Sequence, residues 1–152
     1  MHLIRKLLAV AMLLSLTGCE PGMSGAAPGS VVSPRRQWKT GGTLKDPHLA
    51  IDANASTSAV GQAPGDYLLI DLGGPSLFNY IRLTHSPETD FPPMFEVSTG
   101  LDENRMDKAQ QFPGTRKCTN MLLVTPRLAR FIRIQAAGTE AHKWSLADVI
   151  IR

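Results

Sequence analysis

Oxygen-bearing side chains crowd one short segment, Asp52-Ala53-Asn54-Ala55-Ser56-Thr57. Asp52, Asn54 and Thr57 together with nearby backbone carbonyls suit a hard cation that takes six to eight oxygen ligands. The same residues also suit an Asx turn, in which the side chains bond the loop's own backbone without metal. Further along, Asp71 and Glu96 sit inside strongly apolar stretches. A carboxylate carried into a fold needs a cation or several donors. Arg82, Arg130 and Arg133 are the available cations, so structural ion pairs are expected rather than a catalytic carboxylate pair. His48, His85 and His142 stand singly. No HExxH spacing, glycine-flanked serine or Gly-rich phosphate cradle accompanies them, and no catalysis is expected.

The elements that must position these groups read as strands. Leu68, Ile70 and Leu72 share one parity, as do Ile81 and Leu83, while Tyr80 and Arg82 take the other side. Gly73-Gly74-Pro75 between the two runs has turn chemistry. Strands are predicted at Gln37–Thr40, Tyr67–Leu72, Phe78–Thr84, Met94–Ser98, Cys118–Thr125, Ala129–Gln135 and Leu146–Arg152. Gly and Pro separate them, and no amphipathic helix competes, so an all-β sandwich or barrel is expected.

The first residues carry a different signal. Met1 to Lys6 is a cationic head and Leu7 to Leu16 an apolar run too short to span about 30 Å of hydrocarbon. Leu16-Thr17-Gly18-Cys19 resembles the bacterial lipobox, which implies a signal peptide over 1–18, cleavage before Cys19 and acylation of its thiol. Glu20 does not resemble the aspartate that retains such proteins in an inner membrane, so an outer-membrane location is expected in a Gram-negative cell. The formal charge of +3 then falls to +1, because Arg5 and Lys6 leave with the signal. Near-neutral charge with scattered cations argues against a nucleic-acid partner. Residues 19–35, rich in Gly, Pro, Ser and Ala, read as a flexible tether with an r.m.s. span on the order of 20 Å. An acylated Cys19 would leave Cys118 without a partner in the chain, and Cys118 is expected as a small half-buried core residue.

Four blocks in order resemble the discoidin family, also called the coagulation factor 5/8 type C domain and typed as galactose-binding-like. They are Leu49–Thr57, then Tyr67–Gly73 with Ile81–Leu83, then Phe95–Gly100, and finally Ala129–Ile134 with Trp144–Val149. The resemblance implies a discoidin-like β-sandwich jelly roll over 36–152 and a non-catalytic module that binds carbohydrate. An envelope assembly or adhesion lipoprotein that docks a protein partner on the same fold is the alternative. It implies a structural calcium at Asp52, Asn54 and Thr57 closed by Asp148. Ala53 stands where the family has glycine, Ala59 where a tryptophan is common and Lys143 where a second tryptophan is frequent. Ligand contacts are implied in loops at one end, here Lys39–Leu49, His85–Pro93 and Thr139–Trp144. The residues these loops offer are His48, His85, Glu88, Asp90, Phe91, Glu140, His142, Lys143 and Trp144. Trp144 also matches a family tryptophan that packs in the core.

Overall fold

The computed structural model describes residues 31–152, so the signal segment and Cys19 lie outside the described residues. Eight strands follow one another: β1 (Lys39–Gly42), β2 (Ala59–Gly61), β3 (Tyr67–Thr84), β4 (Met94–Gly100), β5 (Gln110–Pro113), β6 (Cys118–Ala136), β7 (Trp144–Leu146) and β8 (Asp148–Ile151). Five form the path β1-β3-β6-β4-β5, β8 adds to β3, and β2 pairs β7 as a small separate sheet. Each of these strand pairings is antiparallel.

Two long strands carry the architecture. The first part of β3 (Tyr67–Asp71) pairs the end of β6 (Phe131–Gln135), and its second part pairs Cys118–Ala129. Register slips between Asp71 and Ser76 and again between Phe78 and Tyr80. Side chains alternate with period two, so each slip changes the inward parity in one of the two strands, in β6 at the first slip and in β3 at the second. Accordingly the inward residues of β3 are Leu68, Ile70 and Leu72 before the first slip and Ile81 and Leu83 after the second, all 0% exposed. Both sets belong to one apolar cluster with Phe78, Phe95, Met121, Ile132, Ile134, Val149 and Ile151. The bent pair therefore wraps one core and supplies strands to both layers of a sandwich.

The expected turn at Gly73-Gly74-Pro75 is thus a bulged corner inside one strand. Gly73 has φ +79°, and an added Cβ would lie 3.0 Å from the Gln37 carbonyl oxygen. Glycine is required there because an L side chain meets both strain and backbone. Similarly, the two strands expected on either side of Pro126 are continuous in β6. Proline is tolerated because residues 123–126 fall in the second register slip, where β3 pairs none of them. The single strand expected over Leu146–Arg152 is instead two. β7 pairs β2 and β8 pairs β3, with Ala147 bonding the Thr84 carbonyl between them. Arg35–Gln37 forms a 3₁₀ turn, so the first strand begins later than the sequence suggests.

The folded part also begins earlier than Arg36. Val31 exchanges two backbone hydrogen bonds with Leu77, and the Ser33 amide donates to Ser76 Oγ at 3.0 Å. Cys118 is buried as expected, at 7% exposure, but it is disulfide-bonded rather than a lone thiol. The described residues hold no second cysteine.

Of the expected ion pairs, one forms. Arg130 grips Asp71 through Nε and Nη2 at 2.8 and 2.9 Å. The corner bulge turns Arg130 outward, away from the inward row of Ile132 and Ile134. The guanidinium holds the Asp71 carboxyl below its ordinary range, with a further hydrogen bond from the Gly73 amide. Glu96 is satisfied by neutral donors instead, the side-chain amides of Gln135 at 3.0 Å and Gln111 at 3.1 Å. Arg133 lies over the Tyr67 ring, 3.8 Å from its centroid.

Gly73→Ala is expected to destabilise the fold by about 1–3 kcal/mol, because it forces a left-handed residue against backbone. Gly74→Ala, whose Cβ would meet only Ser33 Oγ at 3.7 Å, should stay within about 0.5 kcal/mol. Urea unfolding of the two variants provides the comparison.

Candidate functional site

The register fixes which loops share an end. Gly42 pairs Leu68, Tyr67 pairs Gln135, Phe95 pairs Ala136 and Met94 pairs Pro113. The loops after β1, before β3, before β4, after β5 and after β6 therefore crowd one rim of the larger layer. The three loops expected from the sequence are among them, and they touch. Lys45 pairs Val60 of β2, β2 pairs β7, and Lys143 Nζ lies 3.0 Å from Asp90 Oδ2. The Ser145 amide donates to the Asp90 carbonyl at 3.0 Å.

Within this rim the expected ligand residues divide. Lys143 is exposed and His142 and Asp90 are half-buried, with Lys143 paired to Asp90 and His142 Nε2 3.7 Å from Glu140. Two others are corrected, since His85 is 2% and Trp144 0% exposed. His85 Nδ1 is 2.8 Å from the Ser145 carbonyl oxygen and Nε2 2.9 Å from Thr119 Oγ1. Its ring stacks on Phe95, and Phe95 meets Trp144 edge to face at 5.5 Å. These buried rings set the rim from below. Gly61 is part of that arrangement, since a Cβ there would come within 2.4 Å of Trp144 Nε1. Phe91 does not protrude as a platform; it is half-buried, 5.9 Å from His85. His48 is exposed and sits near enough to Asp52 for its charge to act on that carboxylate.

The loop at Gln62–Asp66 is not among the ligand loops expected from the sequence. With the first loop it forms a cavity of about 320 Å³ lined by Thr43, Lys45, Val60, Gln62 and Asp66. That is near the lower end of ligand pockets, roughly 300–1,000 Å³. Asp66 is its organiser. Oδ1 accepts from the Thr43 hydroxyl at 2.9 Å, and Oδ2 accepts from the Gln62 and Ala63 amides at 2.9 and 2.8 Å. Desolvation pushes the carboxyl upward, but these three donors outweigh it and hold it below its ordinary range. Lys45 stands exposed at the edge. The available signal was Pro64-Gly65-Asp66, turn chemistry followed by an oxygen acceptor.

At the Asp52 loop the oxygens are already engaged. Oδ1 accepts the Asn54 amide at 2.9 Å and Oδ2 the Thr57 hydroxyl at 2.6 Å, while Asn54 Oδ1 accepts the Ser56 amide at 3.0 Å. Thr57 and Asn54 hold the Asp52 carboxyl below its ordinary range. Ala53 has φ +61°, the conformation for which glycine is the usual residue. Asp148 is close by but bonds Arg35 Nη2, and Arg35 Nε donates to the Ile51 carbonyl at 3.1 Å. As arranged, these residues do not fit a calcium ion. The carboxylate that would close the cage faces a guanidinium, and the loop carboxylate faces its own donors. Among the described residues no group of three or more His, Cys, Asp or Glu converges as a metal site.

No protein-family model matches the chain, and no curated protein matches it. Solved structures do. The family 32 carbohydrate-binding module of Clostridium perfringens NanJ, in complex with galactose, superposes with a TM-score of 0.64 at 15% identity, over 80% of this chain and 98% of that one. The module CpGH89CBM32-5 from Clostridium perfringens, in complex with GalNAc-β-1,3-galactose, gives 0.67 at 15% identity over the same shares. The CBM32 of AlyQ, in complex with 4,5-unsaturated mannuronic acid, gives 0.63 at 23% identity over 75% of this chain and 93% of that one. At such identities the likeness concerns the fold, and the chain has the discoidin-like, galactose-binding-like β-sandwich expected from its four blocks.

Two outcomes follow from this geometry. Arg35→Met should lower stability by about 1–3 kcal/mol, since it strands a charge-assisted hydrogen bond, and millimolar calcium should leave the wild-type melting temperature unchanged. Calorimetric scans with calcium and with chelator read both. Burial holds the His85 imidazole below 6.5, against opposing contributions from the Ser145 carbonyl and Asp90. Stability is then complete above pH 6.5 and is lost as pH falls from there toward the folded value, by at most about 1.4 kcal/mol per pH unit. His85→Gln should flatten that segment of a stability-against-pH curve.

Proposed function

We propose that this chain is a non-catalytic carbohydrate-binding module that takes a sugar at the rim cavity. The carrying observation is the pre-formed cavity over Thr43, Lys45, Val60, Gln62 and Asp66. Its acceptor is locked by three donors, so little ordering entropy remains to be lost on binding. Exposed Lys45 and the Gln62 side chain supply donors for hydroxyls, and Val60 supplies an apolar patch for a sugar C–H face. The modules of like fold are described in complex with galactose, GalNAc-β-1,3-galactose and an unsaturated mannuronic acid, which supports a saccharide ligand. No constellation of nucleophile and base accompanies the cavity. Asp66 is committed to structural hydrogen bonds, which supports binding without turnover.

A docked protein partner is the second reading, favoured by one observation. Leu122, Val124 and Leu128 of β6 are 54, 91 and 60% exposed along one outward row. An apolar row of this kind fits a protein surface better than a sugar.

The module would be held at a bacterial envelope, at the outer membrane of a Gram-negative cell, by acyl chains on Cys19. The lipobox-like Leu16-Thr17-Gly18-Cys19 supports this. A thioether on Cys19 and a disulfide between the chain's two cysteines compete for the same sulfur, so one intact-mass measurement separates them. Labelled palmitate should enter the wild type and not Cys19→Ala. An unlabelled chain two hydrogen atoms lighter than its reduced form would contradict the anchor.

A glycan array followed by titration calorimetry tests the binding reading. Lys45→Ala and Gln62→Ala should each weaken the best glycan about tenfold, roughly 1.4 kcal/mol. Unchanged affinity in both, with a crosslinked protein partner lost in Val124→Asp, would favour the docking reading instead.

A further inference from the structure

A second depression lies on the outward face of the larger layer, away from the rim. Lys39, Thr40 and Gly41 of β1, Leu69 and Asp71 of β3, Phe131 of β6, and Glu103 from the segment after β4 line a cavity of about 240 Å³. The register explains the grouping. Gly41 pairs Leu69 and Lys39 pairs Asp71, while Asp71 pairs Phe131. Tyr67, at the rim end of β3, lies four residues from Asp71, roughly 13 Å along the strand. The depression is therefore distinct from the rim cavity.

Its parts have the character of a saccharide site. The floor is open at Gly41, where an added Cβ would meet nothing within 4 Å. Leu69 and Phe131, both half-buried, give apolar walls. Asp71 is clamped by two hydrogen bonds from Arg130, and that guanidinium lies 4.9 Å from the Phe131 ring centroid. Carboxylate, guanidinium and ring are thereby held in fixed relation before any ligand arrives. Arg130 has five N–H donors, of which this grip uses two, and its side chain is 43% exposed. Lys39 and Glu103 stand exposed at the margins.

Charge decides among ligand classes. Two carboxylates, Asp71 and Glu103, line the depression beside Lys39, which disfavours a phosphate or another polyanion. Charged groups on both margins disfavour a purely apolar ligand. A neutral ring with one C–H face and vicinal hydroxyls satisfies all of them, with hydroxyls donating to Asp71 and Glu103 and accepting from Lys39 and Arg130. We propose that this face is a second saccharide subsite that takes one neutral hexopyranose unit. The inference rests on the carbohydrate reading of the module but not on the rim cavity. With both subsites filled, separate residues of one glycan, or two chains, would be held at once, and avidity would exceed either contact alone.

Amide NMR of the full chain, titrated separately with galactose, glucose and N-acetylglucosamine, tests it. At least one sugar should shift the Gly41, Leu69, Asp71 and Phe131 amides in a saturable way. Gly41→Leu, whose side chain enters open space on backbone that any residue can adopt, should abolish those shifts and preserve any at Lys45 and Gln62. Glu103→Gln, in an exposed segment, should weaken the sheet-face shifts several-fold without altering the melting temperature. Shifts confined to the rim amides would overturn the second subsite alone. Absence of shifts at every amide would overturn the rim site with it. Sheet-face shifts that persist in Gly41→Leu would also refute the placement.

Discussion

Everything else in the molecule depends on the antiparallel pairing of β3 with β6 through a shared corner. Each strand is too long to serve one layer of a small sandwich. The slip between Asp71 and Ser76 lets both leave the first layer and enter the second while staying paired to each other. At this slip the inward parity changes in β6, from Met121, Leu123 and Ala129 on one side to Ile132 and Ile134 on the other. In β3 it changes at the later slip, from Leu68, Ile70, Leu72 and Phe78 to Ile81 and Leu83. Glycine at the corner tolerates the left-handed backbone, and the Arg130–Asp71 grip lies across it. A charged pair at a bend costs little to solvate at its exposed edge and fixes the angle between two layers that share one core.

That corner sets the geometry of both binding surfaces. The ends of β1, β4 and β6 gather the loops of the rim, and a second framework beneath it, His85 against Phe95 against Trp144, keeps the loops from collapsing inward. The same corner turns Arg130 and Asp71 outward and builds the depression on the sheet face. At the other cation position, Arg35 ties the Ile51 carbonyl to Asp148. One guanidinium thus links the loop before β2 to β8, two elements that must be held together for β2 and β7 to pair.

Much of this was legible in the sequence where a local pattern had one physical meaning. Alternating Leu68, Ile70 and Leu72 could only be a half-buried strand, and the order of the four blocks carried the sandwich. What stayed hidden depended on distant partners. Gly73-Gly74-Pro75 has the same chemistry in a hairpin turn and in a bulge, and only β6 opposite decides between them. Ala147 divides two short strands because Thr84 and β2 compete for its neighbours, which no local signal records. His85 and Trp144 sit in loop-like sequence, yet packing against Phe95 takes them off the surface. Arg35 lay in what reads as tether, so its claim on Asp148 could not be seen. Gln62 and Asp66 were passed over because turn residues carry no mark that distinguishes a spacer from a pocket wall.

The central claim is that a rigid two-layer scaffold binds saccharide on its outer surfaces with its interior unchanged. Hydrogen–deuterium exchange of the full chain, with and without the tightest glycan, tests it most directly. Protection should rise in the rim loops and at the outward face of β1, while exchange of the paired amides of β3 and β6 stays as it was. Protection spreading through the β3–β6 core, or no protection at either surface, would contradict the account.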